Sequence, residues 1–330
     1  MPPHPALAKL HPTAQWPLIV SAPMRTVSGP ALTSAVSAAG GLGFYAAGYT
    51  PFPSAMLSNS LGINEPYGVG YLLFSTPLST ALSSFSLLSP APIAVWLFAP
   101  SSSSQMQEWI SGFRSQYPSL SIWVQVATVD EAVEYVGFGA DVVVAQGREA
   151  GGHGRDVGGS WVGLVREVKE AVGKEVAVLA AGGISDGETM AAAVTVGADA
   201  VVVGTALIVA EESEAEEGFR ELVIKTRDGG RGTVRTRIYD TLRGTGSWPE
   251  GWDGRAIIND SFTDHEAGMD LGDNLGRYQR AVKEGDYSRL TAYAGAGVGL
   301  VKEVKPAGEI VRDMREGARR VLREMAKEFK

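Results

Sequence analysis

Eight short apolar runs recur along the chain, each followed by a helical or turn-forming stretch, and this alternation predicts an α/β protein built of eight βα units. The runs are nearly continuous in Val, Ile, Leu and Ala, as parallel strands buried on both faces require. Glycine-bearing turns close two successive late runs, where a closed barrel often holds a phosphate. These observations favour a (β/α)8 TIM barrel. A doubly wound open sheet shares the rhythm, and strand count alone does not separate the two.

The expected strands fall at residues 18–24, 42–47, 68–74, 92–98, 121–127, 141–147, 176–181 and 200–204. A helix from Pro30 to Ala38 stops at Gly40-Gly41. Met106, Trp109, Ile110 and Phe113 form one helical face, and so do Trp161, Leu164, Val165 and Val168 between Ser160 and Gly173. Thr128 with Glu131, and Ser185 with Glu188, have capping-box spacing. Residues 50–64 and 75–90 are rich in Ser and Pro, so stunted helices are expected there. After Val209 the rhythm is lost. An acidic surface helix is expected to begin in 211–217, and 237–260 reads as an irregular lid whose Trp248, Trp252, Ile257 and Ile258 need burial. An amphipathic helix over 307–329 closes the chain, with Ile310, Val311, Met314, Ala318, Val321, Leu322 and Met325 on one face. The expected division is a barrel of residues 1–212 plus 291–330, and an inserted, mostly helical and irregular lid of residues 213–290.

Composition narrows the function classes. The formal net charge is −8 with no basic cluster, which disfavours nucleic acid as a partner. No apolar run reaches the ~18–20 residues of a membrane span, and no secretory leader is visible, so a cytoplasmic location is expected. With no cysteine there is no thiolate nucleophile, disulfide or Cys-ligated metal, and no metal site is expected. Four histidines remain: His4 and His11 in an apparent N-terminal tail, His153, and His265 among acidic residues.

The candidate chemistry gathers at three strand ends. The seventh run ends in Gly182-Gly183 before a helix, and the eighth in Gly204-Thr205 before another. Glycines admit close backbone approach, helix N-termini favour anions, and Thr205 adds a hydroxyl. The same glycines can serve as plain tight turns; their occurrence at two neighbouring barrel strands favours a phosphate. The sixth run ends in Gln146 and continues through Gly151-Gly152-His153-Gly154, a loop able to fold over a flat ligand. His153, flanked by glycines, is not expected to pack in a core, and its imidazole suits acid–base work near neutral pH. Met24, after Ala22-Pro23, is either core filler or a contact to a ligand ring. Gly295-Ala296-Gly297-Val298-Gly299 either approaches the phosphate end from the side or is a turn.

In this order, Ala22-Pro23-Met24, Gly40–Gly43, Gln146–Gly154, Ala180–Ile184, Gly204-Thr205 and Gly295–Gly299 resemble the motifs of the nitronate monooxygenases, formerly 2-nitropropane dioxygenases. The resemblance spans most of the chain. It implies FMN as cofactor, held at its phosphate by Gly182, Gly183, Gly204 and Thr205, at its ring by Met24 and Gln146, and through backbone at Gly151. It implies His153 as the catalytic residue in oxidation of alkyl nitronates by O2 to a carbonyl compound and nitrite. Two positions depart from the pattern: the third strand, Gly70-Tyr71-Leu72-Leu73-Phe74, lacks an asparagine, and Ala296 stands where many members have glutamine. An NAD(P)H-dependent FMN reductase of enoyl thioesters or quinones is the alternative, and a flavin-free barrel binding a phosphorylated metabolite a third. The expected partners are a small-molecule substrate and O2, with the oligomeric state left open and a homodimer among the options.

Overall fold

A computed structural model describes residues 3–48 and 61–328. Its main sheet has eight parallel strands: β1 (Ile19–Ser21), β2 (Gly43–Gly48), β3 (Tyr67–Leu72), β4 (Ala94–Phe98), β5 (Ser121–Val126), β6 (Val142–Gln146), β8 (Ala177–Ala181) and β9 (Ala200–Val203). Each overlaps one of the eight expected runs. The strand intervening in chain order, β7 (Gly152–Arg155), belongs to a second sheet.

The ring closes where β1 meets the start of β2. Val20 bridges Leu42, the Leu42 amide donates to the Ile19 carbonyl at 2.9 Å, and Ser21 donates back to Leu42 at 3.0 Å. β1 also pairs in parallel with β9, so the first and last barrel strands are neighbours. The open-sheet alternative is thereby set aside.

Inside the ring, Val20, Phe44, Trp96, Trp123, Val144, Leu179 and Val202 form one buried cluster. Phe44 packs edge-on against Trp96 with centroids 5.2 Å apart. Leu7 joins this cluster from helix Pro5–Leu10, which thus plugs the barrel from the N-terminal side of the chain. The expected tail is structured, and His11 is buried instead of lying on the surface. His265 is exposed, as expected.

Helix ends follow local chemistry. The Glu131 amide donates to the Thr128 hydroxyl at 3.2 Å, while the Glu131 carboxylate reaches one residue further back, to the Ala127 amide. Ser160 caps helix Trp161–Val172, and Gly173 follows its end. The expected Ser185–Glu188 box is displaced: Asp186 caps helix Gly187–Val196 and pairs with Thr189, while Glu188 faces Arg320. Both residue types cap well, so the turn geometry selects Asp186, whose carboxylate also complements the positive helix end. In residues 75–90 the helix is short, Leu78–Phe85. The other stunted connection falls, up to residue 60, outside the described residues.

The segment after Val209 is more regular than expected. Residues 211–216 are not helical, and the helix starts at Glu217. Within 237–260 lie helix Ile238–Arg243 and strand β11 (Trp252–Ile257), which pairs antiparallel with both β10 (Thr233–Thr236) and β7. The stretch 152–155, expected as a loop, is therefore a strand. Its glycines carry little β-propensity, and its partner lies about a hundred positions downstream. Ile238, Tyr239, Leu242, Tyr278 and Leu290 form a separate apolar cluster, with helix Leu271–Glu284 supplying Tyr278. Trp248 and Trp252 are buried against Ala99 and Phe98, beyond the end of β4. No helix among the described residues is long and apolar enough to cross a membrane.

The C-terminal helix, Ala307–Glu328, buries Ile310, Val311, Met314 and Ala318, whereas Met325 stays exposed. The same face buries a cation, Arg315, which donates to the carbonyls of Ala39 and Gly40 at 3.0 Å each and to Pro17 at 3.3 Å. Burial pulls its pKa down to about 10, so it remains charged at neutral pH. Arg315→Leu strands these buried carbonyls, and an unpaired buried acceptor is costly. We expect a stability loss of about 2–5 kcal/mol, read as a lower urea midpoint, while Arg323→Leu on the exposed side changes it by under about 0.5 kcal/mol.

Candidate active site

Parallel closure turns the carboxyl ends of all eight barrel strands to one mouth, and the residues following those ends line a cavity of about 480 Å³. That is a volume able to hold a cofactor-sized ligand. Met24, Gln146, Gly151, His153, Gly182, Gly183, Gly204 and Thr205 all line it. The structure thus brings to one cavity the eight residues expected to hold a cofactor or act in catalysis, while Gly40–Gly43 and the Gly295–Gly299 run lie outside its lining.

The glycine turns after β8 and β9 form one wall. Gly182 and Gly183 have φ of 122° and 65°, conformations that strain any residue with a Cβ. The Gly295–Gly297 run packs directly on them: a Cβ at Gly297 would lie 2.5 Å from the Gly183 carbonyl oxygen, and the Gly295 amide donates to the Thr205 hydroxyl at 3.0 Å. A Cβ at Gly151 would collide with the Gly295 nitrogen, so this third glycine segment locks the other turns together. The helix after β8 already has its N-terminus answered by Asp186. The groups free to meet an anion on this wall are the glycine turns and the hydroxyls of Thr205 and Ser185, which line the cavity.

The side walls are less polar. The Met24 sulfur lies 3.5 Å from where a Gly204 Cβ would stand. Gln146, at the tip of β6, donates from Nε2 to the His153 carbonyl at 3.1 Å and so ties β7 to the barrel. Gly70 and Leu72, from the third strand that lacks the asparagine, line the cavity, while the Tyr71 side chain packs away from it on Trp109 and Phe113, and Ala296 is absent from the lining.

His153 is not an open loop histidine. Its side chain is 9% exposed, and its ring stacks on Trp248 with centroids 3.7 Å apart and planes 5° from parallel. Tyr293 packs against it at 5.0 Å. Nε2 sits 2.9 Å from both carboxylate oxygens of Asp240. Asp240 also accepts from the Tyr293 hydroxyl at 3.0 Å and from Thr245 at 3.2 Å. Burial pulls the His153 pKa below its ordinary value, against the upward pull of Asp240. Opposite His153 on β11 is Gly254, where a Cβ would intrude 2.8 Å from the Tyr293 ring. Arg243, lining the same cavity, stands 5.4 Å over the Tyr293 ring and has no carboxylate partner among the described residues.

Asp240, Tyr293 and Arg243 escaped the sequence reading, which marked Trp248 only as a residue needing burial and not as the partner of His153. Asp240 and Arg243 are spaced i,i+3 and share one side of a short helix. That spacing is common on solvated surfaces, and nothing local marks these two as facing a histidine 87 positions away.

This site and fold have counterparts among known proteins. A nitronate monooxygenase family profile matches residues 111–317. The nitronate monooxygenase npaC of Metarhizium robertsii is 40% identical, covering 96% of this chain and 95% of that relative. Among solved structures, nitroalkane oxidase from Streptomyces ansochromogenes superposes with a TM-score of 0.76 at 28% identity, covering 97% of this chain and 99% of that one. FabK from Thermotoga maritima gives a TM-score of 0.77 at 26% identity, covering 98% of each chain. The chain therefore belongs to the nitronate monooxygenase family of flavin-dependent oxidoreductases.

Proposed function

We propose that this protein binds FMN at the barrel mouth and oxidises alkyl nitronates with O2 to an aldehyde or ketone and nitrite. The observation that carries the reading is the placement of His153, Met24, Gln146 and both glycine turns around one cavity. Gly182, Gly183, Gly204 and Thr205 would hold the phosphate, since backbone without Cβ permits close approach. Met24 and Gln146 would flank the ring, and Gly151 would contribute a backbone contact. Bound there, FMN would supply the electron acceptor that an anionic substrate needs.

The chain's own residues supply position and charge. A nitronate is an anion, and the Arg243 guanidinium beside His153 favours its entry. A neutral nitroalkane must first lose its α-proton, a task suited to the neutral imidazole that burial promotes. We assign residues 1–212 and 291–330 to the cofactor-binding barrel and 213–290 to a lid. From that lid, Trp248 covers His153, limiting water and strengthening the local electrostatics.

The direct test is oxygen uptake and nitrite release from ethyl or propyl nitronate by the flavin-loaded protein, with no pyridine nucleotide added. Both should appear. Anaerobic bleaching of the flavin by NADH or NADPH, with no nitrite formed from nitronate, would replace this reading with a reductase. His153→Ala should keep the flavin absorbance and lower turnover by about 10²–10⁴-fold; loss of flavin instead would make His153 structural. Gly183→Val forces a β-branched residue into a left-handed turn and should weaken FMN binding in a fluorescence titration. Unchanged affinity would remove the phosphate assignment.

A further inference from the structure

We propose that Asp240 is the positioning residue of the site, holding His153 with its proton on Nε2 so that Nδ1 is the nitrogen offered to the substrate. This rests on the reading of His153 as the reacting group, but its evidence is separate. A carboxylate only accepts hydrogen bonds, so a ring nitrogen 2.9 Å from both of its oxygens has to be the one bearing hydrogen. Asp240 is itself buried and absent from the cavity lining, so it acts through the imidazole and not on the substrate.

The ring has little freedom to turn. Trp248 lies flat on one face, Tyr293 packs obliquely, and the backbone of His153 is fixed by pairing with Gly254 and by the Gln146 amide. The Tyr293 and Thr245 hydroxyls bond to the same carboxylate, which prevents it from swinging away. Nδ1 has no hydrogen-bond partner among the described residues and is not sealed from solvent. The lone pair of the neutral ring, or the second proton of the charged ring, is thereby presented at Nδ1.

The charges around His153 pull its titration in opposite directions. Asp240 favours the imidazolium, while burial, Arg243 on the same helix and Arg235 on β10 all oppose it. With the carboxylate neutralised, only the opposing influences remain. His153 should then titrate at lower pH, and a carboxamide can accept from one tautomer or donate to the other.

The test uses flavin-loaded protein with 15N-labelled histidine, the His153 signals being identified by their loss in His153→Ala. In the unaltered protein the neutral ring should show a protonated Nε2 and a bare Nδ1. Asp240→Asn, nearly the same shape, should populate the other tautomer, lower the titration midpoint of His153 and reduce kcat on alkyl nitronate by about 10²–10⁴-fold, with KM and flavin content little changed. Asp240→Glu should recover part of the loss. A neutral ring protonated at Nδ1 in the unaltered protein would overturn the proposal without any variant. So would an Asp240→Asn protein that keeps full kcat and the original titration. A protein that releases no nitrite, yet shows the Nε2–H signal and its loss in Asp240→Asn, would defeat the assigned reaction and leave the positioning role standing.

Discussion

Closing a parallel sheet on itself puts all strand carboxyl ends on one side, and the arrangement of this site depends on that constraint. The closure is local and simple: the bridge from Val20 to Leu42 joins first strand to second, while β1 pairs with β9. Once the ring is shut and filled by Phe44, Trp96, Trp123 and their neighbours, the turns after β1, β6, β8 and β9 have to share a mouth. Residues more than a hundred positions apart, such as Met24 and Gly204, then come within contact range. No side chain at the mouth needs to recruit another through its own affinity.

A second constraint governs the surroundings of His153. A carboxylate removed from water must find donors, and Asp240 finds them on three separated segments, in His153, Thr245 and Tyr293. This need couples helix Ile238–Arg243 to β7 and to the Tyr293 segment more specifically than apolar contact would. The pairing of β7 with β11 serves the same end, because it sets His153 across from a glycine, and only a glycine leaves room for the Tyr293 ring. Arg235, largely buried, donates to Asp253 and to the carbonyls of Arg148 and Ala150, bracing the loop that leads into β7. Positioning of one imidazole is thus spread over both sheets.

The Arg315 contacts answer the same kind of need at the opposite end of the chain. Helix Pro30–Ala38 ends at Ala39-Gly40 with carbonyls that have no intrahelical partner. The C-terminal helix answers them with a guanidinium. An apolar face counted by periodicity alone passes over such a residue, since arginine scores as surface.

The residues by themselves determined the barrel strands, the caps at Thr128 and Ser160 and the glycine turns, because each depends on neighbours a few positions away. Apolar continuity marks a strand buried on both faces, and the left-handed turn at Gly182-Gly183 calls for glycine on local grounds. The cap at Asp186 was missed by one position because two candidate oxygens stand side by side and only the geometry of the turn chooses between them. What tertiary structure decided was the environment of His153. Its flanking glycines suggested an open loop, yet its partners Asp240, Trp248 and Tyr293 arrive from 87 or more positions downstream. Burial, stacking and a shared carboxylate depend on distances between distant segments, and such distances exist only after the chain has closed.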